Sequence, residues 1–293
     1  MTRLLLIGRN GQVGYELQRS LHTLGQILAP HRHELDLAKP EQIRQYIQDL
    51  KPEIIINAAA YTAVDAAEND AATAMLINGT APGIIAEEAK KIGAAVIHYS
   101  TDYVFDGNKG TPYCETDPTN PLNVYGKSKL TGEEAIQAIG VPHLILRTSW
   151  VYGKHGSNFY NTMMRLARER TELSIVDDQT GCPTWSRTIA ETTAQLIAQQ
   201  LIIKNASYFS DCSGIYHLVS SGQTSWYHFA KLFLECDPHI DQQTLTTLKA
   251  ISTADYPTPA KRPAYSVMST DKLNASFKLQ MPPWSDCVEM ISA

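Results

Sequence analysis

The alternation of short apolar runs with helical patterns is the feature that most constrains the fold. RLLLIG is followed by QVGYELQRSLHTLG, QILAP, EQIRQYIQDL and EIIINAAA, which indicates a βαβαβ order. The alternation continues with a helix in MLINGTAPGIIAEEAKKIG, the strand AAVIHYS, a helix that carries Lys129, and the strand HLILRTSW. Uniformly apolar strands between helices predict a parallel sheet covered on both faces. We therefore predict an α/β protein with a Rossmann-type, doubly wound parallel sheet, whose ligands lie beyond the carboxyl ends of the strands.

The first strand runs directly into a glycine-rich turn, G-x-x-G-x-x-G, that opens a helix. Glycines permit a tight turn and close backbone approach, so a pyrophosphate can sit on the free N–H groups and the positive dipole end of the helix. In this βαβ setting we interpret the turn as a dinucleotide site rather than as a turn without a ligand. The residues predicted to contact the dinucleotide are Gly8, Asn10, Gly11, Gln12, Val13 and Gly14.

The end of the second strand bears on which dinucleotide is bound. A site for NAD usually carries a carboxylate there, but the strand ends in Pro30-His31-Arg32. Arg32 would attract a 2′-phosphate, so NADPH is favoured and NADH stays possible; the alternative is that Arg32 is a solvated loop charge. Asp36 and Leu37 could cap the adenine by a hydrogen bond and an apolar contact, or Asp36 could be only a turn residue.

After the third strand, the stretch NAAAY offers small side chains where a backbone must approach a flat cofactor. Tight helix packing would also explain the small residues. We select Ala59, Ala60 and Tyr61 as cofactor contacts.

The fourth strand ends in YSTDY, and the stretch NVYGKSKL follows a Pro-rich loop. Tyr125 and Lys129 are four positions apart and would share one helix face, although this spacing also occurs in ordinary solvated helices. Ketone reduction needs hydride at carbon and a proton at oxygen, and a tyrosine phenol can give the proton if an ammonium lowers its pKa from about 10. Thr101 could bond the same carbonyl oxygen. We predict Thr101, Tyr125 and Lys129 as catalytic, and Tyr99, Tyr125 and Lys129 as lying beside the cofactor.

Composition excludes several other functions. The net charge is -5 and no Lys/Arg cluster occurs, which argues against a nucleic-acid polymer as partner. No run of about 18 apolar residues or signal peptide is present, so we expect no membrane association. The five cysteines form no C-x-x-C pair and the histidines are scattered, which predicts reduced thiols, a cytoplasmic location and no metal site.

The second half of the chain alternates less clearly, and the length of 293 residues favours about two domains. We expect an NAD(P)-binding Rossmann domain in residues 1–152, with segments near 171–200 returning to it. Residues 153–293 are expected to form mainly a smaller mixed α/β substrate domain. Its predicted elements are helices near 158–169, 187–200 and 225–235 and strands near 173–176 and 215–219.

The motifs GRNGQVG, STDYVFDG and YGKSK, in this order, resemble the extended short-chain dehydrogenase/reductase family. The stretches INAAAYTAVDAAE, HYSTDYVFDG, NPLNVYGKSKLTGE, LRTSWVYG and YPTPAKRP narrow the resemblance to the dTDP-4-dehydrorhamnose reductases, over residues 8 to 263. The resemblance implies NAD(P)H-dependent reduction of the C4 ketone of dTDP-4-dehydro-L-rhamnose, the last step of dTDP-L-rhamnose synthesis. It implies a nucleotide-sugar substrate and the same catalytic trio.

The resemblance also implies substrate contacts at Thr101, Asp102 and Trp150. Tyr103 would flank the sugar or be a core aromatic, and Trp150 could stack on the sugar or fill the seam between domains. Arg262 is the candidate for the diphosphate, because a guanidinium matches phosphate oxygens, or it belongs only to a rigid Pro-rich loop.

Some members of the family form a dimer around Mg²⁺ held by glutamates, the first of which corresponds to Glu16. Arg187 occupies the second position by our alignment, and a cation beside an arginine is electrostatically unfavourable. We therefore expect no Mg²⁺, and a monomer or weak homodimer.

Three rival functions follow from the same scaffold. A nucleotide-sugar 4,6-dehydratase would place Asp-Glu after the threonine, but Asp102 is followed by Tyr103. A regulatory subunit, as in methionine adenosyltransferase, would need no catalytic trio. A reductase of another dTDP-4-keto-6-deoxysugar is the nearest rival.

Overall fold

The computed structural model describes residues 1–203 and 208–293. Its first half contains β1 (Arg3–Ile7), α1 (Gln12–Ser20), β2 (Gln26–Leu28), α2 (Pro40–Leu50), β3 (Ile54–Asn57), α3 (Val64–Ala67), α4 (Ala71–Met75), α5 (Ala81–Ile92), β4 (Ala95–Thr101), α6 (Val124–Ile139) and β5 (His143–Thr148). A π-helical turn, Leu76–Thr80, joins α4 to α5, and a 3₁₀ turn, Asp102–Val104, follows β4.

The second half has shorter strands between its helices. The elements are β6 (Val151–Tyr152), α7 (Phe159–Glu169), β7 (Glu172–Val176), β8 (Thr180–Gly181), β9 (Thr184–Trp185), α8 (Ser186–Ile203), α9 (Tyr208–Asp211), β10 (Gly214–His217), β11 (Thr224–Ser225), α10 (Trp226–Glu235), β12 (Thr247–Ile251), α11 (Asp271–Phe277) and α12 (Trp284–Ser292).

The main sheet of the described residues has six parallel strands in the order β10-β5-β4-β3-β1-β2. The chain leaves β1 in one direction to β2 and in the other to β3, so the strand order reverses at β1. Ligands of such sheets bind in the crevice beyond the carboxyl ends of the strands at the reversal. The predicted α/β class with a doubly wound parallel sheet is confirmed.

Alternate residues of β1 face opposite sides of the sheet, which explains why the strand is apolar throughout. Leu4 and Leu6 pack with residues of α1 and α8, including Leu17 and Ile189. Leu5 and Ile7 pack on the other side with residues of α2, α5 and α6, namely Ile43, Ile85 and Ile136. Both faces of the sheet are therefore buried, and polar side chains gather at the strand ends.

The smaller part of the molecule is built around aromatic side chains. Tyr152, Trp185, Phe229 and Phe233 form a buried cluster with apolar residues of α12. Short strand pairs, β7 with β12, β8 with β11 and β6 with β9, frame this cluster. This region is a mixed α/β unit, as predicted from the weaker alternation.

The chain crosses more than once between the two parts. Helix α8 packs on α1 and β10 completes the main sheet, whereas β7 pairs with β12. The division at residue 152 with a return near 171–200 stays a prediction. No helix in 1–203 or 208–293 combines the length and apolarity needed to cross a bilayer.

Candidate active site

The glycine turn between β1 and α1 is packed too tightly for side chains. Gly8 has φ +92°, and a Cβ there would lie 2.6 Å from the Ala59 nitrogen. A Cβ on Gly14 would lie 2.0 Å from the Gly8 carbonyl oxygen. The turn therefore presses against the end of β3, and α1 begins at the strand reversal with Gly11 as an N-cap that has no side chain. Its first N–H groups and its dipole suit a phosphate, so the cradle fits the pyrophosphate of a dinucleotide.

The beginning of α1 is also tied to the loop after β6. The Gln12 Oε1 accepts from Asn158 Nδ2 at 2.9 Å, and the Asn10 carbonyl lies 3.1 Å from His155 Nε2. The Tyr15 ring stacks on His155 with centroids 4.0 Å apart. The loop between β6 and α7 thus also holds the cradle, which sequence spacing did not indicate.

Arg32 and Asp36 lie beyond β2. The Arg32 side chain is 80% exposed, and its Nε lies 3.7 Å from Asp36 Oδ1. Asp36 also accepts from the Ala38 N–H at 3.1 Å, and Leu37 is buried in the core. The exposed Arg32 guanidinium is accessible to a 2′-phosphate but already pairs with Asp36, and the turn alternative for Asp36 gains support.

The segment after β3 is held by a buried amide. Asn78 Oδ1 accepts from the Tyr61 N–H at 2.8 Å, and its Nδ2 donates to the Tyr61 carbonyl at 3.0 Å. The same Nδ2 donates to Ser128 Oγ of α6 at 3.0 Å. The π-helical turn places Asn78, as such turns often do at functional sites. It holds the backbone that runs through Ala59, Ala60 and Tyr61 next to α6.

Thr101 and Tyr125 meet at the carboxyl end of β4. Asn123 caps α6 by accepting from the Gly126 N–H at 2.8 Å, which puts Tyr125 in the first turn of the helix. The Thr101 hydroxyl donates to Asp102 Oδ1 at 3.1 Å, and it lies near enough to the Tyr125 phenol to lower the pKa of that phenol. Burial raises the pKa of Tyr125 to about 12, partly opposed by the Thr101 hydrogen bond. The phenol is therefore protonated at neutral pH.

Lys129 lies one turn further along α6 and is buried. Its Nζ donates to the Tyr99 carbonyl at 2.6 Å and lies 3.2 Å from His98 Nε2. Burial lowers the pKa of Lys129 to about 8, partly opposed by Glu133. Both contacts are to β4, and the pKa of Tyr125 is set mainly by burial, Thr101 and Asp102, so the effect of Lys129 on the phenol stays a prediction.

Tyr99 offers only its backbone to this site. Its hydroxyl lies 2.7 Å from Thr193 Oγ1 of α8, in the core on the other face of the sheet. The predicted cofactor contact at Tyr99 therefore depends on the backbone, whose carbonyl already holds Lys129.

Unpartnered polar atoms mark the edge formed by β4 and β5. Ser100 Oγ, Asp102 Oδ2 and Thr148 Oγ1 are buried and hydrogen-bond to none of the described residues. Burial raises the pKa of Asp102 to about 6, although hydrogen bonds from Ser266 and Thr101 oppose the shift. Buried polar atoms without partners are costly, so this edge is suited to receive a polar ligand.

Tyr103 packs edge-on against Tyr125, with ring centroids 5.6 Å apart and an interplanar angle of 79°. Burial and the nearby Asp102 raise its pKa. Tyr103 is half-buried beside the Tyr125 phenol.

Trp150 stacks on Trp226 with ring centroids 3.6 Å apart, and it adopts φ +45°. A Cβ on Gly181 would lie 2.5 Å from the Trp150 ring, so this glycine leaves room for the indole. The contact joins the end of β5 to α10 and supports the seam alternative.

Arg262 forms a two-point ion pair with Asp65. Its Nη2 lies 2.8 Å from Asp65 Oδ2, and its Nη1 lies 3.1 Å from Asp65 Oδ1. The guanidinium also borders a cavity of about 750 Å³ in the smaller part of the molecule. Trp226, Phe159 and Arg170 line the same cavity, which lies beside the tryptophan pair rather than at the predicted catalytic trio.

The Glu16 carboxylate faces Arg187, whose Nε lies 3.5 Å from Glu16 Oε2. Among residues 1–203 and 208–293, no group of three or more His, Cys, Asp or Glu side chains is placed to hold a metal ion. The absence of Mg²⁺ stays a prediction.

Four buried or paired polar residues at this site were missed from sequence: Asn57, Asp65, Asn78 and His98. His98 and Asn57 are polar residues in otherwise apolar strands, which is a signal that could have selected them. Asn78 and Asp65 stand in helical stretches with no such signal.

A family model and several known proteins match this chain over all or nearly all of its length. The family model of the RmlD substrate binding domain matches residues 1–293. The dTDP-4-dehydrorhamnose reductase of Burkholderia thailandensis is 48% identical over 285 residues, 96% of this chain and 95% of that protein. The enzyme of the same name from Escherichia coli K12 is 47% identical over 286 residues, 96% and 94% of the two chains.

Solved structures show the same relationship. A dTDP-4-dehydrorhamnose reductase from Bacillus anthracis in complex with NADP has a TM-score of 0.89 and 35% identity, with 99% of both chains covered. The Thermus thermophilus UDP-glucose 4-epimerase with NAD has a TM-score of 0.78 and 18% identity over 99% and 98% of the chains, which shows the fold alone. The protein therefore belongs to the dTDP-4-dehydrorhamnose reductase family and is an NAD(P)H-dependent oxidoreductase.

Proposed function

We propose that the protein reduces the C4 ketone of dTDP-4-dehydro-L-rhamnose to dTDP-L-rhamnose, using NADPH or, less well, NADH. The observation that carries this proposal is the meeting of the Thr101 hydroxyl and the protonated Tyr125 phenol at the strand edge, in a chain of this family. A hydroxyl and a phenol at one point suit a carbonyl oxygen that is about to receive a proton.

The cofactor half of the site holds the dinucleotide mainly by backbone. The turn from Gly8 to Gly14 receives the pyrophosphate at the N-terminus of α1, and Arg32 meets a 2′-phosphate. The bound dinucleotide supplies the hydride to C4. Backbone groups of Ala59 to Tyr61, held by Asn78, flank it.

Tyr125 supplies the proton in this mechanism. Because its pKa is about 12, the phenol carries a proton that it can give to the ketone oxygen as hydride reaches the carbon. Thr101 turns its single hydroxyl proton from Asp102 Oδ1 to the same oxygen and orients it. The ammonium form of Lys129, one turn away, favours the phenolate that remains.

The sugar and nucleotide lie on the other side of the reacting carbon. Asp102 and Tyr103 flank the sugar, since Asp102 Oδ2 is a buried acceptor without a partner among the described residues. Trp150 covers the site from the seam, and Arg262 binds the diphosphate at the mouth of the cavity, which requires it to share or leave Asp65.

As part of this proposal, the protein acts in the cytoplasm without a metal-bridged dimer. Its five cysteines are free thiols, as expected in a reducing compartment. Glu16 is paired with Arg187 rather than available to a cation. Removal of divalent ions with a chelator should leave both activity and the apparent mass on a sizing column unchanged.

The test supplies dTDP-4-dehydro-L-rhamnose with NADPH and, separately, NADH, and follows the absorbance of the reduced nicotinamide. The product sugar is identified by NMR. We expect oxidation of NADPH and formation of dTDP-L-rhamnose. Unchanged cofactor would overturn the proposal, and faster turnover of a different dTDP-4-keto-6-deoxysugar would change the substrate but keep the chemistry.

A further inference from the structure

Three polar side chains form a buried row below the reacting groups. Asn57 Nδ2 lies 3.2 Å from His98 Nδ1, and His98 Nε2 lies 3.2 Å from Lys129 Nζ. The three side chains come from neighbouring strands β3 and β4 and from α6, and each is at least 98% buried. Because water is excluded, every donor in the row needs an acceptor inside the protein.

The direction of the first hydrogen bond follows from the Asn57 amide. Its Oδ1 accepts from the Ala59 N–H at 3.2 Å, so its Nδ2 is the group that faces His98. An amide nitrogen only donates, and therefore His98 Nδ1 must accept. A neutral imidazole carries one proton, which then stands on Nε2 and points towards Lys129.

The nitrogen of Lys129 must then accept a hydrogen bond from His98 Nε2–H. An ammonium has three donors and no acceptor, whereas a neutral amine has a lone pair. The contact between His98 Nε2–H and Lys129 Nζ is thus satisfied only by the amine, which still donates to the Tyr99 carbonyl at 2.6 Å. The hydrogen-bond row therefore favours the neutral amine over the ammonium, which still predominates below the lysine pKa of about 8.

Turning over the Asn57 amide, or protonating both nitrogens of His98, would leave two hydrogen-bond donors facing each other. Turning the Asn57 amide over would place its Nδ2 against the Ala59 N–H. A doubly protonated His98 would face the Asn57 amide with a donor and stand beside a second cation. Burial also lowers the pKa of both His98 and Lys129, so it favours the uncharged form of each side chain.

Charged groups around Lys129 come from several elements. On α6, Glu133 favours the ammonium, but Arg147 of β5 holds this carboxylate by hydrogen bonds of 2.9 and 2.7 Å. Asp102 lies at the end of β4 and Tyr125 on α6, and both are engaged with Thr101. Of these groups in the described structure, Glu133 is the one whose charge opposes the lowering of the Lys129 pKa by burial.

We propose that His98, oriented by Asn57, is a positioning residue that stabilises the neutral amine of Lys129 by donating its Nε2–H to the lysine nitrogen. The proposal rests on the proposed function, in which the ammonium of Lys129 supports proton transfer from Tyr125. The lysine then loses its proton at a lower pH than it would without His98. The reductase rate should consequently fall on the alkaline side as Lys129 becomes neutral.

The first experiment uses the unmodified protein. Long-range ¹H–¹⁵N spectra of the nine histidines report which ring nitrogen carries the proton, and His98→Gln assigns the His98 signals. We expect His98 to be neutral with its proton on Nε2 from about pH 6 to pH 9, a range that begins near the ordinary histidine pKa of about 6.5. A proton on Nδ1, or titration of His98 in this range, would overturn the proposal.

The second experiment compares pH profiles of kcat for two matched variants. In His98→Gln, the amide oxygen can accept from the ammonium, so the alkaline limb should move up by about one pH unit, a tenfold change in the lysine proton affinity. His143→Gln removes another buried histidine at the opposite end of β5 and should leave the limb in place. An unmoved limb in folded His98→Gln would contradict the proposal.

The two proposals fail in different ways. If no nucleotide-sugar ketone is reduced, the proposed function falls, while the His98 tautomer can still be read by NMR. If the ketone is reduced but His98 carries its proton on Nδ1, only the positioning role falls. Where His98→Gln does not fold, through-bond correlation of each imidazole ring with its own backbone assigns the His98 signals, so the NMR measurement still decides the question.

Discussion

The two ends of the candidate site are built from different groups, backbone at the cofactor end and buried polar side chains at the chemical end. At the cofactor end, the turn from Gly8 to Gly14 depends on missing side chains, since a Cβ at either residue would collide with backbone. At the chemical end, Asp102, Tyr125 and Lys129 are polar side chains enclosed by protein, and burial shifts the pKa of each. One end is shaped by backbone that leaves no room for side chains, and at the other end burial shifts the pKa values of polar side chains.

This difference determines which substitutions each end of the site can tolerate. A backbone cradle fails when volume is added, because interiors and tight turns are close-packed. A buried polar site fails when a hydrogen-bonding atom is removed or a charge is left alone. The two ends can therefore be tested separately. A methyl group is added at the cofactor end, and a single polar atom is removed at the chemical end.

The largest effect is expected at Tyr125. Tyr125→Phe removes the proton donor but keeps the ring, so kcat should fall by about 10²- to 10⁴-fold with little change in Tm. Tyr265→Phe is the control, because that hydroxyl bonds to Gln223 away from the trio. Steady-state kinetics decide the matter, and near-normal kcat in Tyr125→Phe would remove Tyr125 from the mechanism.

Gly8→Ala tests the backbone end. The new Cβ adds left-handed strain at φ +92° and a collision with Ala58 and Ala59, and together these should cost about 3 kcal/mol or more in unfolding free energy. Gly93→Ala is the matched control, since its φ is +73° but nothing lies within 4 Å of its Cβ. Denaturant unfolding of both variants separates strain from collision, and equal losses would show that close approach is unimportant at Gly8.

Asp102→Asn tests burial at the chemical end through pH. The folded pKa of about 6 exceeds the ordinary value of about 3.9, so the carboxyl contributes stability below pH 4 that is lost as pH rises through 6. The asparagine variant lacks this loss. Relative to the unmodified protein, its unfolding free energy should therefore gain about 2 kcal/mol between pH 4 and pH 7.

Asp106→Asn provides a control of opposite sign for Asp102. Hydrogen bonds from the Asn108 backbone N–H and from other donors lower the pKa of Asp106. Its carboxylate therefore contributes stability that is present at neutral pH and lost in acid. Asp106→Asn should consequently lose stability at pH 7 relative to pH 4. The same direction of change in both variants would mean that burial of Asp102 does not control its protonation.

The smallest effect is expected at the exposed edge of the cofactor end. Arg32→Ala should raise the KM for NADPH by about tenfold and leave the KM for NADH nearly unchanged, because one charge-assisted contact to the 2′-phosphate is lost. Arg165→Ala, which removes another exposed arginine paired with Glu169, is the control. Equal effects on both cofactors would show that Arg32 does not discriminate between them.

The order of the elements and the site motifs were predictable because they depend on local spacing. Apolar periodicity predicted the βαβ order, and the glycine spacing identified the turn after β1. The spacing of Tyr125 and Lys129 correctly placed both on α6. The partners of these residues were not predictable, since His98 is 31 positions from Lys129 and Asp65 is 197 positions from Arg262.

The sequence by itself determined the α/β class, the position of the glycine turn and the family of the protein, because these properties depend on residue types at short and regular spacing. Tertiary structure alone decided that Lys129 contacts His98 and Tyr99, that Trp150 stacks on Trp226, and that Arg262 pairs with Asp65. The physical reason is burial. Protonation and pairing depend on which distant groups share a water-free space, and packing of the whole chain determines that space.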